Sequence, residues 1–444
     1  MLKYFGVNQA IGFGLMTRIW SVFSGPISMV VIASSLTITE QGYYYAFASL
    51  LALQIFFELG LVTVLAQFIS HEFVSLSWGH NGEIVGDEIK KNRVLDILGK
   101  SLKWYSVCSV FLILTLSFAG YLFFRNETSH DISWKLPWFL SVVGVGMNLL
   151  IIPFYGVISG SGDVASVNFR ELIGGVLGSL LCWTVLILGG ELYAIPAVTF
   201  GNIIVGVLYL IRNKSVLIIQ GIRFSLMKTN ILNSISWRHE VFPMQWKIAI
   251  SWISGYFIFH LFTPVLFKFH GAEVAGKMGM TLAAITAIQQ VCLTWPISKM
   301  PEFGKCIAQK KWTELDALFQ KTLNQSLEVC LLLVIAFLFV LSMINNFSNL
   351  GIRFLPIWEI VIFSISIVGQ LLINSFAIYM RAHKKEPMMF LSVVGALLTG
   401  LSTFFLGYYF SSLGVIIGFV VITFFYGLPT TYILFKRFKT YNHL

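Results

Sequence analysis

The residues of this 444-residue sequence best placed to do chemistry lie inside long apolar runs. Arg18 is the one full charge in the run Ile11–Leu36, and Glu58 the one in Tyr43–Ile69. A charge at bilayer depth costs about 2.5–3.5 kcal/mol on insertion scales, so it is seldom idle. The polar residues around them keep helical spacing. Arg18, Ser21, Gly25, Ser28 and Ser35 form one stripe, and Gln54 stands one turn before Glu58. A second set comes later: Lys247, Ser251 and Ser254 make another stripe, and Gln289 and Gln290 sit in the middle of an apolar run. A cation from each set, Arg18 and Lys247, would attract an anionic headgroup such as pyrophosphate. The hydroxyls and amides of Ser21, Ser251, Gln54, Gln289 and Gln290 could donate hydrogen bonds to a phosphate or a sugar. Glu58, the most deeply placed carboxylate, is the candidate for a protonatable coupling group.

Each of these residues also has a structural reading. Arg18 and Glu58 differ in depth by only about 6 Å at 1.5 Å per residue, so they could instead clamp two helices together. Lys247 lies near an interface, where snorkelling is ordinary. Amides in hydrocarbon commonly bond a neighbouring helix, which is the alternative for the two glutamines. His260 could relay protons or simply pack.

The elements that must position these groups are membrane-spanning helices. The chain is 57% hydrophobic and only 11% charged, with a mean hydropathy of +0.81. A soluble domain carries about 25% charged residues. Runs of roughly 20 apolar residues cross a bilayer as helices. Twelve are expected, over 11–36, 43–69, 104–124, 136–159, 169–188, 192–211, 247–267, 277–298, 325–345, 355–380, 388–410 and 413–435. With the N-terminus inside, 24 Lys and Arg fall on the inner side and five on the outer, leaving Arg18 within the membrane. The positive-inside rule therefore puts both termini in the cytoplasm. It also explains the net charge of +10 without nucleic acid. The first run is long enough to remain as a span, so no cleaved signal peptide is expected.

The outer connections are short and leave no room for an external domain. Three inner connections are long: 71–103, 213–246 and 299–324. Their mixed aliphatic and basic composition suits helices lying on an anionic leaflet, or solvated connectors.

The twelve spans divide into two copies of six. Lys90-Lys91-x-x-x-Leu95-Asp96-x-Leu98 recurs as Lys310-Lys311-x-x-x-Leu315-Asp316-x-Leu318. Ser21-x-x-Ser24-Gly25 recurs as Ser251-x-x-Ser254-Gly255, and Gly42 and Gly276 open the second span of each half. Two pseudo-symmetric bundles follow, 1–212 and 247–444, joined by a cytoplasmic linker at 213–246, with the polar path between the halves.

Other chemistry has no support in the sequence. The five cysteines are scattered, with no CxxC pair or metal-ligand spacing, so neither a disulfide framework nor a metal or other cofactor is expected. Phosphate-loop, G-x-S-x-G and H-E-x-x-H patterns are missing, and no enzyme activity is expected.

Two six-span repeats, an arginine in span 1 and the turn Thr39-Glu40-Gln41-Gly42-Tyr43-Tyr44 resemble bacterial polysaccharide and O-antigen repeat-unit flippases (Wzx-type). These are members of the MATE-like multidrug/oligosaccharidyl-lipid/polysaccharide (MOP) exporter superfamily. The resemblance is one of pattern and covers nearly the whole chain. It implies a multi-pass protein of the bacterial inner membrane that moves an undecaprenyl-pyrophosphate-linked oligosaccharide between leaflets by alternating access. H+ or Na+ would be the coupling ion, and a polysaccharide polymerase and chain-length regulator the protein partners. It also implies a cavity among spans 1, 2, 7 and 8, where Arg18, Glu58, Lys247 and Gln289/Gln290 fall. The rival is a MATE-type drug or cation antiporter, or another secondary transporter. A drug exporter of that kind should carry an acid in span 1, where this chain has Arg18. A major-facilitator transporter should carry G-x-x-x-D-[RK] after span 2, and 71–103 lacks it. A membrane glycosyltransferase should show a large external loop.

Overall fold

A computed structural model of the protein describes residues 9–125, 132–226, 237, 242–347, 349–383 and 387–442. In chain order the helices are α1 (Gln9–Ser35), α2 (Ile38–Leu51), α3 (Ile55–Glu58) and α4 (Leu61–Glu72). A short antiparallel hairpin follows, β1 (Leu76–Trp78) with β2 (Ile84–Gly86), in which Ser77 pairs with Val85. Then come α5 (Glu88–Phe124), α6 (Lys135–Gly160), α7 (Val164–Ile187), α8 (Ala194–Asn213), α9 (Ser215–Leu226) and α10 (Phe242–Phe259). The chain ends with α11 (Phe262–Ala308), α12 (Trp312–Phe347), α13 (Ile357–Ala382), α14 (Met389–Val421) and α15 (Leu428–Asn442). This is an all-α, multi-pass membrane protein. Among the described residues nine helices are long and apolar enough to cross a membrane, and the pair Ile38–Glu58 and Leu61–Ser75, bent by 40°, makes ten.

Two of these runs are much longer than a bilayer needs: Ile248–Ala308 with 61 residues and Met389–Asn442 with 54. Each contains a residue that leaves helical geometry, Gly271 (φ 85°) and Ser411 (φ 55°). At Ser411 the helix folds back on itself. A Cβ at Gly414 would collide with the Leu406 carbonyl, and one at Gly418 with Ser402 Oγ.

The structure differs from the sequence reading at four places. Span 2 is not one helix. It is interrupted straight after Glu58, where Leu59 (φ 50°) and Gly60 (φ 63°) both adopt the left-handed conformation. Span 7 is also interrupted, between Phe259 and Phe262. Pro264 stands in the first turn of α11, where its missing N–H is tolerated. The connection 71–103 is no helix lying by itself but the β hairpin followed by the first turns of α5, capped by Asp87 Oδ1 accepting from the amides of Ile89 (2.8 Å) and Lys90 (3.2 Å). The connection 299–324 is likewise absorbed into α11 and α12, which meet across Gln309–Lys311. In the third connection α9 is a helix of 12 residues, packed on α5 with Ile219 and Leu226 exposed; residues 227–236 and 238–241 lie outside the described set.

Packing divides the chain into two compact units. The first comprises residues through Ser35 and Leu50–Ile253, the second Leu36–Ser49 and Ser254–Leu444. In the first, α1 and α8 pack on α7, α6 and α9 on α5, and α4 on α6. In the second, α12, α13 and α14 pack on α11, and α15 on α13. Leu36–Ser49, the start of span 2, is thus part of the second unit although both its flanks belong to the first.

Candidate functional site

In the first unit α1 turns one side to α7. Phe13 meets Phe169 edge-on at 5.1 Å, Trp20 Nε1 donates to Ser179 Oγ (3.4 Å), and Trp183 Nε1 donates to Ser28 Oγ (2.9 Å). Ser28 therefore serves packing. Arg18 and Ser21 lie off that contact and are exposed. The Ser21 hydroxyl donates to the Thr17 carbonyl at 2.9 Å, which satisfies it within its own helix. The clamp between Arg18 and Glu58 is not made: among the described residues no acid lies within salt-bridge distance of Arg18.

Gln54 and Glu58 lie within an irregular stretch of the second span. Ala52–Gln54 tightens to a 3₁₀ turn, a single helical turn carries Glu58, and the backbone then reverses hand at Leu59. Glu58 thus closes its helical turn directly before the reversal of hand. The Glu58 carbonyl accepts a long bond from Tyr105 Oη (3.4 Å). Gly60 is fixed by α10, since a Cβ there would stand 2.5 Å from Ile248 Cγ2 and 3.5 Å from Trp252. The neighbour of Ile248 in the chain is Lys247. Its backbone belongs to α10 and to the first unit, while its side chain lies outside the described set. One unit therefore holds Arg18, Gln54, Glu58, Ser251 and the backbone of Lys247.

The second unit holds the other residues. Ser254 is buried, Gln289 is buried and Gln290 exposed, so the two amides serve different surroundings. The repeat-related glycines Gly25 and Gly255 both open onto empty space, with nothing within 4 Å of an added Cβ. His260 sits in the break of span 7, stacked on Tyr256 with centroids 5.8 Å apart, which is the packing arrangement.

Sequence reasoning missed a polar cluster in the first unit, where the hairpin, the start of α7 and the end of α8 meet. Lys214 Nζ lies 3.5 Å above the Trp78 ring and 3.6 Å from Asp163 Oδ2, while Trp78 Nε1 donates to Ser161 Oγ (2.9 Å). Burial pushes the Lys214 ammonium below its ordinary value, and Asp163 pulls it back up. The hairpin turn closes over it, because a Cβ at Gly82 would stand 2.6 Å from the Lys214 Cα. Asp163 at the start of a helix was a visible N-cap signal; its partner 51 residues on was not.

No protein-family model matches this sequence, and no curated protein matches it either. Solved structures do. A eukaryotic MATE transporter aligns with TM-score 0.63 at 11% identity, over 98% of this chain and 97% of that one. A multidrug resistance MATE family transporter of the MOP superfamily, in an inward-facing conformation, aligns with TM-score 0.62 at 14% identity, over 98% and 99%. Lipid II flippase MurJ, in an inward closed conformation, aligns with TM-score 0.60 at 12% identity, over 98% and 90%. The chain therefore has the fold shared by MATE transporters and MurJ along its whole length.

Proposed function

We propose that the protein is a flippase of the bacterial inner membrane. In this reading it carries a polyprenyl-pyrophosphate-linked oligosaccharide, an O-antigen or capsule repeat unit, from the inner to the outer leaflet by alternating access. The observation that carries the reading is Arg18: an exposed guanidinium in the first span, without an ion pair among the described residues, in a fold shared with a lipid-linked flippase. A planar guanidinium matches a phosphate bidentately. Arg18 and Lys247 hold the pyrophosphate, and the hydroxyls and amides of Ser21, Ser251, Gln54, Gln289 and Gln290 are available to the glycan. Glu58, at its helix break, takes up the coupling H+ or Na+. The topology that goes with this reading is twelve spans with both termini in the cytoplasm.

The MATE likenesses support a second reading, export of cationic drugs. Arg18 argues against it, since a cation on the path repels the cargo. The test is deletion of the gene in its host, with extraction of lipid-linked glycans. Accumulated polyprenyl-pyrophosphate oligosaccharide and depleted surface polymer, restored by wild type but not by Arg18→Ala at equal membrane abundance, supports the flippase. Unchanged glycans with heightened sensitivity to cationic drugs overturns it in favour of the exporter.

A further inference from the structure

The two glycines that open the second span of each sequence repeat meet in the structure. A Cβ on Gly276 would stand 2.8 Å from the Gly42 nitrogen and 3.1 Å from its Cα, and one on Gly42 would run into the Ala272 carbonyl. Only glycine at both positions lets these backbones approach so closely. Beside the crossing, Gln41 is fully buried. Its Nε2 donates to the carbonyls of Gly276 (2.9 Å) and Arg353 (3.0 Å), so one amide joins the start of α2 to α11 and to the loop before α13. Two carbonyl acceptors leave no doubt which end of the amide faces them. Its Oε1 is buried without a partner. The helix carrying Gln41 is stiff at its start. Thr37 and Glu40 form a capping box, Glu40 Oε2 accepting from the Thr37 amide (2.7 Å) and the Glu40 amide donating to Thr37 Oγ1 (3.2 Å). It is interrupted soon after its end, at Ala52–Gln54 and at Leu59–Gly60.

We propose that Gln41 is a releasable latch: it holds the outer half of span 2 against span 8 and the 349–353 turn, and its release is a step of the transport cycle. The inference rests on the transporter reading. Three features of the segment suit release. A stiff helix bounded by Leu36–Thr37 on one side and by two breaks on the other can swing as a rod without unwinding its neighbours. The glycine-on-glycine crossing itself has no side chains to disengage, so release has to part only the flanking contacts, such as Tyr43 edge-on against Phe267 at 5.0 Å. The latch is also poised, since the gain from two donated bonds is offset by the stranded acceptor oxygen, which regains a partner when the segment leaves. A purely structural amide would have no use for that last feature.

The experiment uses Ala46→Cys as reporter, at a position with no exposed surface on the same segment. Intact cells are treated with a membrane-impermeant maleimide, and labelling above that of the parent protein, which has its own five cysteines, is followed in time. Labelling should be slow with Gln41 present and at least tenfold faster in Gln41→Leu. Gly276→Ala, which wedges the crossing while leaving Gln41 in place, should also accelerate it and covers the case that Gln41→Leu fails to accumulate. Unchanged labelling in the variant or variants that accumulate, with or without a drop in melting temperature, overturns the latch. Labelling needs no substrate, so it is separate from the glycan assay: accelerated labelling in a protein whose deletion leaves lipid-linked glycans untouched would keep the latch and discard the flippase.

Discussion

Spans 1 and 2 and spans 7 and 8 are repeat partners, yet the helix break falls on opposite members of the two pairs. In the first half span 1 runs unbroken through Pro26 and span 2 is interrupted after Glu58. In the second half span 7 is interrupted after Phe259 and span 8 runs on to Ala308. The alignment of the repeats locates the cause in single residues. Where span 2 has Leu59-Gly60, span 8 has Leu293-Thr294; where span 7 has Pro264, span 1 has Ser34. The repeated pattern sets the order of the helices, and local backbone chemistry decides which one bends. The first break also comes with a carboxylate and the second with a histidine, so the halves differ in chemistry as well as in shape.

This comparison can be broken by exchanging the residues. Gly60→Thr gives span 2 the residue of span 8, but a left-handed site costs an L side chain about 1–2 kcal/mol, and Ile248 blocks the new Cβ. The expected loss exceeds about 2 kcal/mol in a melting or urea titration of the purified protein. The reverse exchange, Thr294→Gly, should cost about 1 kcal/mol and leave transport intact. A second contrast concerns the repeated motif. Asp96 is buried beside Lys100 (2.7 Å), whereas Asp316, with Lys439 (2.6 Å) and Tyr379 Oη (3.1 Å), is about one-third exposed. Asp96→Ala should therefore destabilise by about 1–3 kcal/mol, and Asp316→Ala by less than about 1 kcal/mol because solvent screens its pair.

Pro264→Ser gives span 7 the residue of span 1 and restores an N–H. Because that N–H lies in the first turn of α11, stability should change by less than about 0.5 kcal/mol, and slower transport is the expected result. The smallest effect is one of pH. Burial lowers the Lys214 pKa, so the folded state binds fewer protons there than the unfolded chain. Stability should then rise with pH between that lowered value and the ordinary lysine value of 10.5, and Lys214→Met should abolish this slope.

Much of the architecture was legible because membrane physics writes it plainly. Apolar runs became helices, and Gly42 and Gly276 had been paired by their positions before the structure brought them into contact. The breaks were harder to see. Leu59 adopts a left-handed conformation although leucine rarely does, and hydropathy is blind to backbone hand. The hairpin at Leu76–Gly86 was hidden for another reason: its Trp78 is held by Lys214 and Ser161, contacts too distant in sequence for any local pattern to reveal. At the site, the spacing of Arg18 and Glu58 allowed a pair, and only coordinates could separate them.

The bond between Gln41 and the Arg353 carbonyl spans 312 positions of the chain, which has a consequence for biosynthesis. At about 5–20 residues per second, the ribosome reaches Arg353 roughly 15–60 s after Gln41. Until Gly276 is made, 235 positions after Gln41, this amide of the second span has neither acceptor, and until Arg353 is made it has only one of the two. Assembly around the start of the second span must therefore remain open until the loop before α13 reaches a side chain made near the beginning.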